Sequence, residues 1–267
     1  MGNDNLFPVP PLGGVVPWVG GKRLLAKHIA GRISCIPHTC YAEPFVGAGG
    51  LFFRRPQKPA VEAINDRSKD VSTLFRVLQR HPDALLGALH WQLNCRDEFD
   101  RLVASNPDTL TDIERSARFV AIQFQSFGGR ADRPMWAGSA TREGRLSVVR
   151  LRKLFSSLHR RLDRVFVDSC DFGDFIRRWD RPSTLFYLDP PYFRCEDYYG
   201  KDLFCRADFE RLADQLAGIK GRFLLSLNDA PEVRVIFGRF GVEVVKTTYS
   251  LNGRAGSKKA EELIISN

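Results

Sequence analysis

No run of apolar residues in this chain approaches the about 20 needed to cross a bilayer, so a membrane-spanning helix is not expected. The opening stretch MGNDNLFPVPP has neither a basic n-region nor an apolar h-region, which argues against a secretory leader. Leu6 stands where a myristoylation signal wants Ser or Thr, which argues against a lipid anchor. Six cysteines (Cys35, Cys40, Cys95, Cys170, Cys195 and Cys205) show no CxxC spacing. The histidines (His28, His38, His81, His90 and His159) show no metal-ligand spacing. No metal is expected, and the cysteines read as reduced thiols in a cytoplasmic protein. Internal repeats and low-complexity tracts are also missing.

What is there suits a soluble globular protein. The 267 residues suffice for one large domain or a domain carrying an insertion. Acids are scarce in one place: between Arg130 and Arg164 there are ten lysines and arginines against three acids. The chain's net charge of +9 is therefore concentrated, which is the electrostatic footprint of a polyanionic partner. A solvated helix face is the plainer reading of the same run.

Strand-like segments recur near 40–45, 60–66, 164–171, 184–191, 221–229 and 242–250 and at the C-terminus, EELIISN. Helical spacing fills most gaps, as in Val71, Leu74, Phe75, Leu78 and in Phe209, Leu212, Leu216. Strands alternating with helices predict a mostly parallel, doubly wound sheet. The last two strands are joined by a polar loop too short for a helical crossover, so they should pair antiparallel. From about Ser72 to Arg161 no parallel strand is expected; helical stretches flank GGRADRPMWAGSATREGRL. That interval reads as an inserted helical domain with an exposed loop.

Two segments carry chemistry. In EPFVGAGG, Glu43 to Gly50, Gly47, Gly49 and Gly50 permit a tight turn and close backbone approach to a ligand. Asp66 ends the next strand, where doubly wound folds place a carboxylate on ribose hydroxyls. Phe52 occupies the third glycine slot of a phosphate fingerprint, and Glu43 would repel a pyrophosphate. An acid there suits a cationic ligand such as S-adenosylmethionine, which carries a sulfonium and an ammonium. In LFYLDPPYF, an apolar run stops at Asp189, Pro190, Pro191 and Tyr192. The two prolines hold a rigid extended loop at a strand's carboxyl end, where open α/β sheets bind ligands.

With these motifs in order, the chain resembles the Dam-type, D12 class DNA adenine-N6 methyltransferases. PWVGGK (Pro17 to Lys22) is similar to the family's opening motif, EPFVGAGG to its cofactor loop, and IND (Ile64 to Asp66) to its ribose motif. DPPY (Asp189 to Tyr192) is similar to its catalytic tetrad, LSLND to the strand beyond, and YSLNGRAGSKKAEELIISN to its closing hairpin. The fold implied is α/β: a Rossmann-like S-adenosylmethionine-dependent methyltransferase sheet with an antiparallel last strand, plus an inserted, mainly helical DNA-recognition domain. Residues 1–71 and 162–267 would form the catalytic domain and 72–161 the target-recognition domain. The activity implied is methyl transfer from S-adenosylmethionine to the exocyclic amine of an adenine flipped out of double-stranded DNA.

The resemblance also assigns roles. Asp189 and the Pro190 carbonyl would accept hydrogen bonds from the amine, and Tyr192 would stack on the base, with Phe193 either a second stacking ring or core. Trp18 and Lys22 would hold the methionine end of the cofactor, Lys22 pairing its carboxylate. Glu43, Phe45, Gly47, Asp66, Asp171, Phe172 and Asp189 complete the cofactor set. Asp171 also reads as a plain helix N-cap before FGDFIRRW. Phe124 to Trp136 is similar to a DNA-engaging hairpin, with Arg130 and Arg133 on DNA and Met135 or Trp136 wedged into the base stack; Trp136 packing on its own domain is the other reading. Arg254 in the closing hairpin is a further DNA contact. The partner is double-stranded DNA without membrane or metal, with a monomer in solution that pairs on DNA. A cytosine amino-methyltransferase, whose tetrad more often begins with Ser, and a catalytically silent DNA-binding module are the competing functions.

Overall fold

The computed structural model describes residues 6–19, 22, 25–199, 203–249 and 258–267. Its strands are β1 (Phe7–Pro8), β2 (Cys40–Glu43), β3 (Gln57–Lys58), β4 (Val61–Asn65), β5 (Phe166–Asp168), β6 (Thr184–Leu188), β7 (Arg222–Asn228), β8 (Gly241–Tyr249) and β9 (Lys258–Ser266). Its helices are α1 (Ala26–Cys35), α2 (Lys69–Arg80), α3 (Pro82–His90), α4 (Arg96–Ala104), α5 (Asp112–Gln125), α6 (Val148–Arg161), α7 (Phe172–Trp179), α8 (Arg206–Ala217) and α9 (Pro231–Ile236).

Seven strands form one sheet in the order β5-β4-β2-β6-β7-β9-β8, while β1 pairs with β3 alone. β2, β4, β5, β6 and β7 run parallel, and β9 inserts antiparallel between β7 and β8. All seven strand-like segments of the sequence are strands here, and the last two pair antiparallel as their short connection requires. Strand order reverses between β2 and β6, which leaves a crevice at the carboxyl ends of the parallel strands.

The central strands β6 and β7 are covered on both faces and are apolar runs, whereas the edge strand β8 is largely exposed and carries Glu243 and Lys246. Tyr41, Ile64, Leu185, Tyr187 and Leu224 point into one cluster with α1, α2, α3, α5 and α6. Ala42, Ala63, Phe186, Leu188 and Leu225 point into the other with α7, α8 and α9. Between β4 and β5 the described residues contain helices and one isolated antiparallel bridge, Ser126 with Trp136, but no parallel strand. These helices share the first cluster with the sheet: Phe119 of α5 and Phe155 of α6 are buried alongside Phe52, Phe53 and Phe75.

Local chemistry sets the helix starts. Thr111 and Glu114 form a reciprocal capping box on α5, the Thr111 hydroxyl accepting from the Glu114 N–H and the Glu114 carboxylate from the Thr111 N–H. Pro82 opens α3, where its missing N–H costs nothing. Asp171 caps α7 by accepting from the Gly173 N–H at 2.8 Å.

Candidate active site

Glu43, Asp66, Cys170 and Asp189 leave β2, β4, β5 and β6 at the same sheet edge. They meet in a cavity of about 600 Å³ lined also by Trp18, Lys22, Phe45, Gly47 and Phe172. Eight of the nine residues expected around a cofactor thus share one cavity. Asp171 is the exception: its oxygens are taken by Arg211 at 2.7 and 2.8 Å and by the α7 cap, and that guanidinium holds its carboxyl below the usual range.

The glycine loop has the backbone its residues imply. Gly47 sits at φ 51° and Gly49 at φ 70°, left-handed conformations that strain any residue with a Cβ. A Cβ on Gly47 would also stand 2.8 Å from the Trp18 indole nitrogen, so the loop is closed by that ring. Asp66 fixes the loop from the next strand: one oxygen accepts from the Gly47 N–H and the other from the Ser68 N–H, both at 2.9 Å. Burial pushes the Asp66 carboxyl up to about 6 in spite of these bonds. Each oxygen retains a lone pair for a hydroxyl.

Glu43 is buried and accepts from the Tyr41 phenol. Burial pushes its carboxyl up to about 8, against the Tyr41 hydrogen bond and the Arg55 charge, which pull it down. Phe45 lies 5.4 Å from Phe172 and 5.7 Å from Phe204, forming an aromatic wall.

Asp189 is half-buried. Its Oδ1 meets Lys22 Nζ at 3.1 Å and accepts from Ser226 Oγ at 3.2 Å. Burial pushes its carboxyl up to about 6; Lys22 and Ser226 oppose that, and the nearby Glu262 charge adds to it. Lys22 also donates to the Tyr192 phenol and to Glu262 Oε2, the latter at 3.1 Å. Its ammonium, expected on a cofactor carboxylate, is engaged by three groups of the Asp189 turn and the last strand. Pro190 and Pro191 are buried, and Phe193 is core, 5.4 Å from Phe209. Asn228 pins the turn by accepting from the Phe193 N–H at 2.9 Å.

The sequence reading missed several residues. Asn65 donates to the carbonyls of Pro44 and Cys170 at 3.0 and 3.1 Å and accepts from the Cys170 N–H at 2.9 Å, tying three strand ends together. Its signal was an amide ending an apolar strand. Ser226 and Glu262 are polar residues inside apolar strands, the same kind of signal. Phe124 and Leu154, from α5 and α6, complete the cavity wall and carry no polar mark at all.

The expected hairpin is present. Phe127 N–H donates to the Met135 carbonyl and Ala137 N–H to the Gln125 carbonyl, both at 2.8 Å. Trp136 packs on its own segment, 5.5 Å from Phe99, while Met135 (58% exposed) and the unforeseen Phe127 (55%) face solvent. Arg133 is exposed. Arg130 instead makes a two-pronged pair with Asp132 and lies 3.9 Å over the Tyr198 ring. Arg254 lies outside the described residues.

Gly129 docks the hairpin onto the cavity wall at Pro17 and Trp18. Its carbonyl accepts from the Val19 N–H at 3.1 Å, and a Cβ there would stand 2.9 Å from Pro17 C and Trp18 N. Gly128 shares the left-handed backbone, φ 76° against 67°, but a Cβ there meets open space. Gly128→Ala is expected to cost the about 1–3 kcal/mol of a left-handed residue. Gly129→Ala should cost more and weaken ligand binding in the cavity. Thermal unfolding of both variants tests this; equal losses would mean the contact contributes nothing.

A family profile described as D12 class N6 adenine-specific DNA methyltransferase matches residues 18–251. The chain is 25% identical to the type II methyltransferase M1.LlaDCHI of Lactococcus lactis subsp. cremoris, over 94% of this chain and 93% of that protein. It is 20% identical to the type II methyltransferase M.CviBI of Paramecium bursaria Chlorella virus NC1A, over 95% and 98%. Among the described residues no helix is long and apolar enough to cross a membrane, and no cluster of side chains could hold a metal. The matched span runs from Trp18 in the cavity wall through the glycine loop and the Asp189 turn to the last hairpin, and it places this chain among the D12 class N6 adenine-specific DNA methyltransferases.

Proposed function

We propose that the cavity binds S-adenosylmethionine and that Asp189 presents an adenine amine, extruded from double-stranded DNA, to its methyl group. The observation that carries this is the convergence of Asp189 with the acids Glu43 and Asp66 in one cavity of about 600 Å³, within the range of small-molecule sites. The cofactor fits by chemistry. Asp66 offers acceptors to ribose hydroxyls, Phe45 and Phe172 offer apolar faces to a purine, and the acids suit a cation. When bound, S-adenosylmethionine supplies an electrophilic methyl group on a sulfonium.

The protein's part is to make a poor nucleophile a good one. An adenine amine is weakly nucleophilic because its lone pair is delocalised into the ring. An acceptor on each of its hydrogens pulls the nitrogen toward tetrahedral geometry and localises that pair. Asp189 supplies one acceptor, mostly ionised at neutral pH; among the described residues its hydrogen-bonding contacts with Lys22 and Ser226 fall on Oδ1, and Oδ2 is the oxygen offered to the amine. The Pro190 carbonyl supplies the other, held by the two fixed φ angles. Positioning supplies much of the rate. Extrusion of the base costs a few kcal/mol, and stacking on the Tyr192 ring returns about 1–3 kcal/mol. Residues 72–161 supply the DNA-recognition surface, with Arg133, Met135 and Phe127 at the exposed hairpin.

Incubation with methyl-labelled S-adenosylmethionine and unmethylated duplex DNA, followed by nucleoside analysis, tests the reading. Label in N6-methyladenine is expected; label in N4-methylcytosine, or none, would overturn it. A second test uses Glu43, which is mainly protonated at pH 7. A cationic ligand favours the ionised form, so S-adenosylmethionine binding should release close to one proton at pH 7. Affinity should rise with pH and level off above about 8. Calorimetry in buffers of different ionisation enthalpy reads the proton directly. Binding without proton release would show that Glu43 does not face the cation.

A further inference from the structure

The proposed chemistry needs one carboxylate at the amine, yet a second lies buried beside it. Glu262, on β9 opposite Asn228 of β7, is 1% exposed. Its Oε1 accepts from the Tyr192 phenol at 2.5 Å and its Oε2 pairs with Lys22 at 3.1 Å. Lys22 in turn reaches the same phenol and Asp189 Oδ1. Its ammonium also lies 4.1 Å from the centre of the Tyr192 ring. Three parts of the chain thus close a ring of contacts: the N-terminal segment, the turn after β6 and the last strand.

A buried carboxylate costs several kcal/mol unless it is fully paired, and this one spends both oxygens on the groups that flank Asp189. We propose that Glu262 is a positioning residue for methyl transfer: it clamps the Tyr192 phenol and the Lys22 ammonium so that ring and acceptor meet the target base in one geometry. This rests on the reading of the cavity given above. Lys22, held by Glu262, occupies Asp189 Oδ1 together with Ser226, which fixes the carboxylate for the amine. The Tyr192 ring, tethered at its phenol, is kept from turning.

The charges bear on the same point. Asp189 faces Lys22, Ser226 and Glu262, with Glu43 and the Tyr187 phenol near enough to couple with it. Removing the Glu262 charge removes one cause of the upward shift at Asp189 while Lys22 remains.

The test compares the parent, Glu262→Gln and Tyr192→Phe in single-turnover methylation of duplex DNA across pH, with S-adenosylhomocysteine affinity measured alongside. Glutamine keeps one acceptor but sets an amide N–H₂ against the ammonium. It should slow transfer about 10- to 100-fold. The acid limb of the rate profile should move to lower pH, and product affinity should stay near the parent's. Tyr192→Phe keeps the ring and the buried ion pair but loses the tether, so it should slow transfer with the acid limb unmoved. The double variant should be no slower than the slower single one, because the clamp acts as a unit. A parent-like rate and acid limb in Glu262→Gln would overturn the proposal. If that variant does not fold, a parent-like rate in Tyr192→Phe would overturn it instead. A parent that methylates no adenine would overturn the reading of the cavity itself.

Discussion

Asp189→Ala is expected to slow adenine methylation by about 10²- to 10³-fold, the usual loss when one fixed polar partner of a reacting group is removed. The fold should survive it. Lys22 keeps Glu262 as its counter-charge, and the turn remains pinned by Asn228 and by two buried prolines. Product affinity should therefore stay near the parent value, which separates lost chemistry from a lost pocket. Asp189→Asn should be nearly as slow, since an amide oriented to satisfy Lys22 turns its N–H₂ toward the amine it ought to accept from. Single-turnover label transfer with S-adenosylhomocysteine calorimetry is the measurement. A variant that methylates at the parent rate would show that the amine is activated elsewhere.

Much of this site could be read before any coordinates. Glu43, Asp66 and Asp189 are visible because a charged residue ending an apolar strand has few structural uses. The central strands are visible because strands covered on both faces must be written as short apolar runs, and the edge strand β8 because its β-branched residues cluster. What stayed hidden depends on partners far along the chain. Lys22 and Glu262 are 240 residues apart, so no spacing rule brings them together. Their pairing engages the Lys22 charge, which in the sequence looked available for a ligand. The hairpin shows the same limit on a smaller scale. Phe127, Met135 and Trp136 are all apolar, and contacts such as that with Phe99, on α4, hold Trp136 inward while the others face outward. Arg130 shows it too: Asp132, two residues on, takes both prongs of its guanidinium, a pairing that the expectation of a DNA contact did not include.

The largest stability effect is expected at Glu62, far from the reacting atoms. Glu62 is the second residue of β4 and is buried between two guanidiniums. Arg161, in the last turn of α6, makes a fork with it at 2.6 and 2.7 Å, and Arg55 pairs with it from the other side. Aromatic faces hold what the carboxylate does not: Arg55 lies 3.5 Å over the Tyr41 ring and Arg161 4.3 Å over the Phe52 ring. Two cations share one anion, so the anion is the member that cannot be removed. Glu62→Gln should cost about 3–5 kcal/mol, because it strands two buried charges. For a chain of this size that is a loss of roughly 10 °C in Tm. Arg161→Met should cost less, since Arg55 and Glu62 then neutralise each other. Replacing all three by apolar residues of similar volume should recover most of the loss. The pH dependence has a definite sign. Burial alone would raise the Glu62 carboxyl, but Arg55 and Arg161 overcome it and hold it below its usual value. A carboxyl lowered on folding stabilises above its unfolded pKa and stops doing so as pH falls through the folded one. The parent should therefore lose its advantage over Glu62→Gln below about pH 4.5. Arg161 also anchors α6, whose Leu154 lines the cavity proposed for the cofactor, so Glu62→Gln should weaken ligand binding at temperatures where the protein is still folded. Thermal unfolding of the three variants across pH decides the matter. An Arg161→Met loss equal to that of Glu62→Gln would mean that packing, and not the stranded charge, sets the cost.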